Sequence, residues 1–328
     1  MPVPSPRNAP MSAQSGAPGR WACLSLFAIA LGLSSCVAPQ GPPQKVSSAV
    51  VDRARDLAAT PADWAAACGD WDDWDQRAPA FRVFGNTYHV GTCGISALLV
   101  AGPEGHVLID TGTRQGSVGV LENIRNLGFA PENVVAVLTS HEHFDHVGGL
   151  WWVNRNTGAR VVTSPKAAPV LASGQASPDD PQSGRNPPMR AIPADLIDTV
   201  TPGHPVTLAG MAFTPIASPG HTSGALSWQW ESCEGSDCRT IVFADSLTPV
   251  SRDDYRFADH PAYLRAYRDS IARIAALECD ILLTPHPSAS RMRDKALAGE
   301  FASEPKCGRY AQTVLGQLQT RLTGEARE

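Results

Sequence analysis

Residues 139–149 read TSHEHFDHVGG, and the reading of this stretch decides the fold. His141, His143 and His146 crowd into six positions with Asp145, in a chain of 328 residues that has nine histidines. A single histidine is most often a packed core side chain. Four ligand-type groups so close together are not explained by packing, because every buried polar group needs a partner. A helix does not serve them. His141-Glu142 begins like the zinc-binding helix H-E-x-x-H, but the second histidine is replaced by Asp145. His146 would lie about 140° around a helix from His141. An extended backbone does better, since residues two apart point the same way. His141 and His143 then reach one cation, and Asp145 and His146, just beyond, reach a second. Neutral imidazole with carboxylate is a donor set suited to zinc.

Working outward, Val134 to Leu138 is an apolar run that reads as a buried strand delivering the chain to His141. Residues 106–110 (HVLID) read as another, ending at an acid and the turn Thr111-Gly112. Phe81 to Val90 and Ile95 to Val100 read as paired strands. Residues 115–127 have helical spacing and stop at Gly128, and a helix is expected from Gly148. The second half repeats the style, with strands near 211–217, 225–231 and 240–244, a helix over 261–277, a strand over 280–284 and a last helix over 308–324. Residues 173–205, rich in Pro, Ser, Asp and Gly, read as a long loop, and such loops are commonly functional or disordered. Two comparable halves of alternating strands and helices fit an α/β fold with two sheets face to face and helices outside both. Two more histidines stand at strand ends: His221 in the glycine turn SPGHTSG (218–224), and His286 between prolines in LLTPHP (282–287). Proline holds the backbone rigid there. Together they supply one missing donor per cation.

The chain opens with Arg20, the apolar run WACLSLFAIALGL and the small residues Ser34-Ser35-Cys36. This order reads as a secretory signal over 1–36. Leu33-Ser34-Ser35-Cys36 also resembles a bacterial lipobox, in which Cys36 would carry lipid. Met11 is an alternative start to Met1. Residues 37–62 read as a linker and 63–328 as the catalytic domain. Removing 1–36 removes two arginines and no acid, taking the formal charge from −5 to −7. An acidic chain is a poor nucleic-acid binder, so no nucleic acid is expected. The membrane is expected only through the N-terminal anchor. Six cysteines then remain in an exported chain, where disulfides are the rule. Sequence proximity favours Cys68 with Cys93, Cys233 with Cys238 and Cys279 with Cys307, with other connectivities left open.

H-x-H-x-D-H after an apolar strand, followed by a glycine-turn histidine and a strand-end histidine, resembles the metallo-β-lactamase superfamily. Ala244-Asp245-Ser246-Leu247, Thr284-Pro285-His286-Pro287, Gly85-Asn86-Thr87-Tyr88 and residues 94–99 (GISALL) resemble its subclass B3. The likeness runs from about 68 to 312. It implies a four-layer αββα sandwich with the site at one edge and two Zn²⁺ per chain. His141, His143 and His221 would bind the first, and Asp145, His146 and His286 the second. The resemblance puts Ser246 where another subclass has a cysteine ligand.

That arrangement implies hydrolysis of the β-lactam amide bond of penicillins, cephalosporins and carbapenems by a zinc-bridging hydroxide, and so antibiotic resistance. Metal lowers the pKa of bound water from about 15.7 to about 7. Asp145 would orient that nucleophile and relay its proton. Asp110 is a candidate to tie down the histidine loop. Ser246, Ser288 and Ser290 are candidates to meet metal-bound water or the substrate carboxylate. Glu142 reads as a solvated acid, Trp151-Trp152 as rim or core packing, and His89, His106, His204 and His260 as ordinary histidines. A small β-lactam substrate, a monomer and a periplasmic location complete the expectation. Two alternatives remain. One is a thioester or lactone hydrolase with an aspartate bridging the metals near 245; the other is a zinc-dependent binding protein without activity.

Overall fold

The computed structural model describes residues 46–69 and 73–327. Two short helices, α1 (Ser48–Leu57) and α2 (Pro61–Ala67), come first. The chain then lays down β1 (Phe81–Phe84), β2 (Thr87–His89), β3 (Leu98–Gly102) and β4 (Gly105–Ile109). Helix α3 (Gly116–Asn126), β5 (Val134–Leu138), α4 (Phe144–Val147), α5 (Leu150–Thr157), β6 (Arg160–Thr163), α6 (Ala168–Ser173) and β7 (Ile197–Thr199) complete the first half. The seven strands form one sheet in sequence order, antiparallel through β4 and parallel from β4 to β7. The second half contributes β8 (Val206–Leu208), β9 (Met211–Ala217), β10 (Leu226–Glu234), β11 (Asp237–Phe243), α7 (Pro261–Ala275), β12 (Ile281–Leu283), α8 (Met292–Ala298) and α9 (Cys307–Glu325). Its five-stranded sheet runs β12-β11-β10-β9-β8, with only the β11–β12 pair parallel.

Strand alternation explains the layers. In β4, Val107 and Ile109 face the other sheet, where Phe213, Trp228, Ile241 and Phe243 meet them, while Leu108 faces the opposite way. Leu108, Leu99 and Val137 pack beneath Val120 and Ile124 of α3 and Val153 of α5. On the far side, Val242 and Leu282 pack beneath Ile271 and Ile274 of α7 and Tyr310 and Val314 of α9. Period-2 strands thus expose an apolar row on both faces, and each row needs its own cover. The result is the αββα sandwich. No helix among the described residues is long and apolar enough to cross a membrane.

Three expectations need correction. Within the segment read as a linker, 48–57 and 61–62 are helical, and Ala54 is buried against the first sheet's outer layer. Thr60 and Asp63 form a reciprocal cap that starts α2, so the ordered fold begins well before residue 63. The run 81–90 is a hairpin of two strands. The stretch 173–205 contains β7, the edge strand of the first sheet. The signal, the lipobox with Cys36 and both start methionines lie outside the described residues.

The disulfides pair as sequence proximity favours: Cys68–Cys93, Cys233–Cys238 and Cys279–Cys307. Cys233–Cys238 closes the β10–β11 hairpin across directly opposed residues. Cys279–Cys307 joins the approach to β12 with the start of α9.

Candidate metal centre

Every candidate side chain lies just past the C-terminal end of a strand: Asp110 after β4, His141 after β5, His221 after β9, Asp245 and Ser246 after β11, His286 after β12. These ends meet at one edge of the sandwich. His143 is extended, and α4 begins at Phe144, so Asp145 and His146 sit on a single helical turn rather than in the expected extended loop. The two closing glycines have a steric reason. A β-carbon on Gly149 would lie 2.2 Å from the Ser117 side chain, and one on Gly148 2.2 Å from the Phe144 carbonyl. The turn is pressed against the β4 loop, where Thr111 N–H donates to the His146 carbonyl at 2.8 Å.

The rings of His141, His143 and His221 form a near-equilateral triangle, each pair of centroids 4.9 Å apart. Beside it, His146 Nε2 lies 3.0 Å from Asp145 Oδ2 and 3.3 Å from His286 Nε2, and His286 Nε2 lies 3.4 Å from Asp145 Oδ2. The rings of His141 and His146, 4.2 Å apart, join the two groups. His141, His143 and His221 meet the spacing for one cation, as do His141, Asp145 and His146.

Each imidazole of the triangle is held from behind. His141 Nδ1 donates to Asp245 Oδ1 at 2.8 Å. His143 Nε2 bonds Asp180 Oδ2 at 2.9 Å. His221 Nδ1 donates to the Thr248 carbonyl at 3.0 Å. Such partners fix the tautomer and turn the other ring nitrogen toward a metal. For His141 that nitrogen, Nε2, is buried with no hydrogen-bond partner. A buried lone pair without a donor is costly unless a cation fills the space. Burial, then the neighbouring imidazoles, push His141 well below the usual range and His221 down to about 3. Both are therefore neutral, as metal ligands must be. His143 runs the other way: burial opposes its charge, but the carboxylates of Asp180, Asp145 and Glu142 together outweigh it and raise the group. Burial would also raise Asp145, yet the imidazoles of His146, His286 and His141 hold its carboxyl well below the usual range. The donor set fits zinc.

Asp110 accepts from Ser140 N–H at 2.7 Å and from the Ser140 hydroxyl at 2.6 Å, with Oδ2 3.6 Å from His146 Nδ1. It adopts φ 58°, a left-handed conformation that the paired bonds to Ser140 hold in place. Ser246 is buried, next in the chain to Asp245, the partner of His141. Ser288 is exposed at a cavity it shares with Thr248, Arg291 and Arg309. Ser290 departs from expectation: its buried hydroxyl accepts from Thr284 at 3.0 Å and donates to the Pro287 carbonyl at 3.3 Å, bracing the His286 loop. Glu142 departs more sharply. It is 4% exposed, and burial pushes it up to about 7. Trp152 is 41% exposed, and Arg190 lies over the Trp151 ring at 3.3 Å. Both tryptophans line a cavity of about 740 Å³ with Phe144, Arg114 and Arg190.

Sequence reasoning missed Asp180, Gln182, Asp245 as a histidine partner, and Trp74. Gln182 brings its side-chain amide to 3.1 Å from His221 Nε2. The Trp74 ring stands 5.9 Å from that of His286 and 5.6 Å from that of Phe144, forming an aromatic wall at the mouth.

The model of the metallo-β-lactamase superfamily matches residues 90–286. The solved structure of the MIM-2 metallo-β-lactamase is 47% identical, covers 82% of this chain and 99% of its own, and superposes with a TM-score of 0.75. MEM-A1, a subclass B3 metallo-β-lactamase isolated from a soil metagenome library, is 40% identical over 78% of this chain and 99% of its own, with a TM-score of 0.73. A probable metallo-hydrolase of Bacillus subtilis, YflN, is 28% identical over 56% of this chain and 76% of its own. The chain belongs to the metallo-β-lactamase superfamily. Its structural neighbours within it are subclass B3 enzymes.

Proposed function

We propose that the protein is a di-zinc hydrolase of β-lactams, with His141, His143 and His221 holding one ion and Asp145, His146 and His286 the other. The observation that carries this reading is the joining of two donor groups at one sandwich edge, with 47% identity to MIM-2 across 82% of the chain. Bound zinc would supply Lewis acidity and lower the pKa of water from about 15.7 to about 7. The protein's own part is to position and to move a proton. Asp145, between His146 and His286, would orient the attacking water and relay its proton to the departing ring nitrogen. Ser246 and Ser288 would hydrogen-bond the substrate carboxylate. Trp74 and Phe144 offer an apolar wall to substituents on the ring and shield the centre from bulk water.

Asp245 bears on the thioester or lactone alternative. Its Oδ1 sits behind His141, on Nδ1, rather than between the two donor groups, and this favours the β-lactam reading over one with an aspartate bridging the metals. Three disulfides support an oxidising compartment, hence a periplasmic site of action. The test is a zinc-dependent hydrolysis panel: a penicillin, a cephalosporin, a carbapenem, a thioester and a lactone. Ring opening followed by ultraviolet absorbance is the expected result. Intact β-lactams with a cleaved thioester would overturn the assignment. Raised β-lactam tolerance in a bacterial host expressing the chain would test resistance.

A further inference from the structure

His141 and His143 hang from the first sheet, and His221 hangs from the second. The 4.9 Å triangle therefore depends on how the two sheets are held at this edge. Glu142 lies between the two histidines of the first sheet, and its side chain reaches the His221 loop. It accepts from the Thr222 hydroxyl at 2.8 Å and from Gly224 N–H at 3.3 Å. Thr222 is fully buried, and Glu142 is 4% exposed. The fit leaves no slack: a β-carbon on Gly224 would stand 2.8 Å from both Glu142 carboxylate oxygens and 2.8 Å from Ala167 N. One backbone bond, Leu226 N–H to the Ser140 carbonyl at 2.7 Å, crosses beside it.

We infer that Glu142 is a positioning residue for the first metal, clamping the His221 loop to the His141–His143 segment through Thr222 and Gly224. This rests on the zinc reading above and extends it to a side chain that touches neither metal nor substrate. Burying a carboxylate against two neutral donors is expensive.

The test uses the full chain and zinc alone, without a β-lactam. Zinc affinity is measured by competition with a chromophoric chelator for the parent, Glu142→Ala, Glu142→Gln and Thr222→Val, alongside the zinc-induced rise in melting temperature. Glu142→Ala is expected to weaken one of the two zinc sites by about 10- to 100-fold and to shrink the zinc-induced shift. Glu142→Gln keeps the bond to Thr222 and should recover part of the loss, with Thr222→Val milder still. A purely structural residue would lower the melting temperature with and without zinc alike and leave affinity unchanged. Affinity within twofold of the parent in both Glu142→Gln and Thr222→Val overturns the clamp, and those variants decide the matter if Glu142→Ala does not fold. A parent that binds no zinc overturns the metal reading and the clamp together. A parent that binds zinc but opens no β-lactam ring overturns the substrate assignment while these affinities still decide the clamp.

Discussion

Two kinds of buried histidine coexist in this molecule. His89 and His106 lie within strands, fully buried, and neither ring makes a hydrogen bond among the described residues. His89 stacks on Phe81 at 5.1 Å, and His106 meets the edge of Phe129 at 4.5 Å. His141, His143, His146 and His221 are equally hidden, but they stand past strand ends, against carboxylates and carbonyls. Burial alone thus does not distinguish a ligand from a packing ring. What distinguishes the triangle is a fixed partner on one ring nitrogen and convergence with other ligand-type groups.

The largest effects should come from breaking the second kind. His143→Ala is expected to reduce turnover to background while far-UV circular dichroism stays native; retained turnover would dissolve the distinction. Chelation should abolish activity reversibly and lower the melting temperature. Free zinc at a hundredfold over its dissociation constant is worth about 2.7 kcal/mol to the folded state. Asp245→Asn keeps the shape but loses the charge that holds the His141 tautomer. We expect zinc affinity or kcat to fall about 10- to 100-fold, read by chelator competition and steady-state kinetics.

The first kind should answer to pH instead. Burial lowers His89 to about 3 and His106 to about 4, against about 6.5 in an unfolded chain. Above 6.5 both states are neutral and neither histidine affects stability. As pH falls below 6.5 the unfolded chain takes up protons that the folded one refuses. Stability then drops by up to about 1.4 kcal/mol per pH unit for each ring, levelling off near pH 3–4. His89→Phe, which keeps the stack on Phe81, should flatten this acid limb in urea melts at pH 5 and leave pH 7 little changed. An unchanged limb would mean that the ring is not kept neutral.

Much of this edge was legible in the sequence. Val134–Leu138 announces a buried strand, and H-x-H-x-D-H follows it directly, so motif and position arrive together. His221 and His286 carry glycine and proline signals at strand ends. Asp180 carries none: it lies in a polar stretch, and only tertiary packing brings it 2.9 Å from His143. Glu142 misled because a lone acid in a polar motif is most often solvated, and its partners lie 80 and 82 positions away. The helices at 48–67 hid behind a composition resembling a tether, since their burial rests on few side chains, Ala54 and Trp64 among them.

Tyr310, on the terminal helix α9, donates its hydroxyl proton to the Asp245 carbonyl at 2.7 Å and accepts from Leu247 N–H at 3.1 Å. The tail of the chain therefore grips the backbone on either side of Ser246. Shortening the protein from its C terminus past this tyrosine would not merely trim a surface helix; it would release the loop that carries both the His141 anchor, Asp245, and the buried Ser246. Anyone designing a minimal version or a C-terminal fusion inherits that linkage.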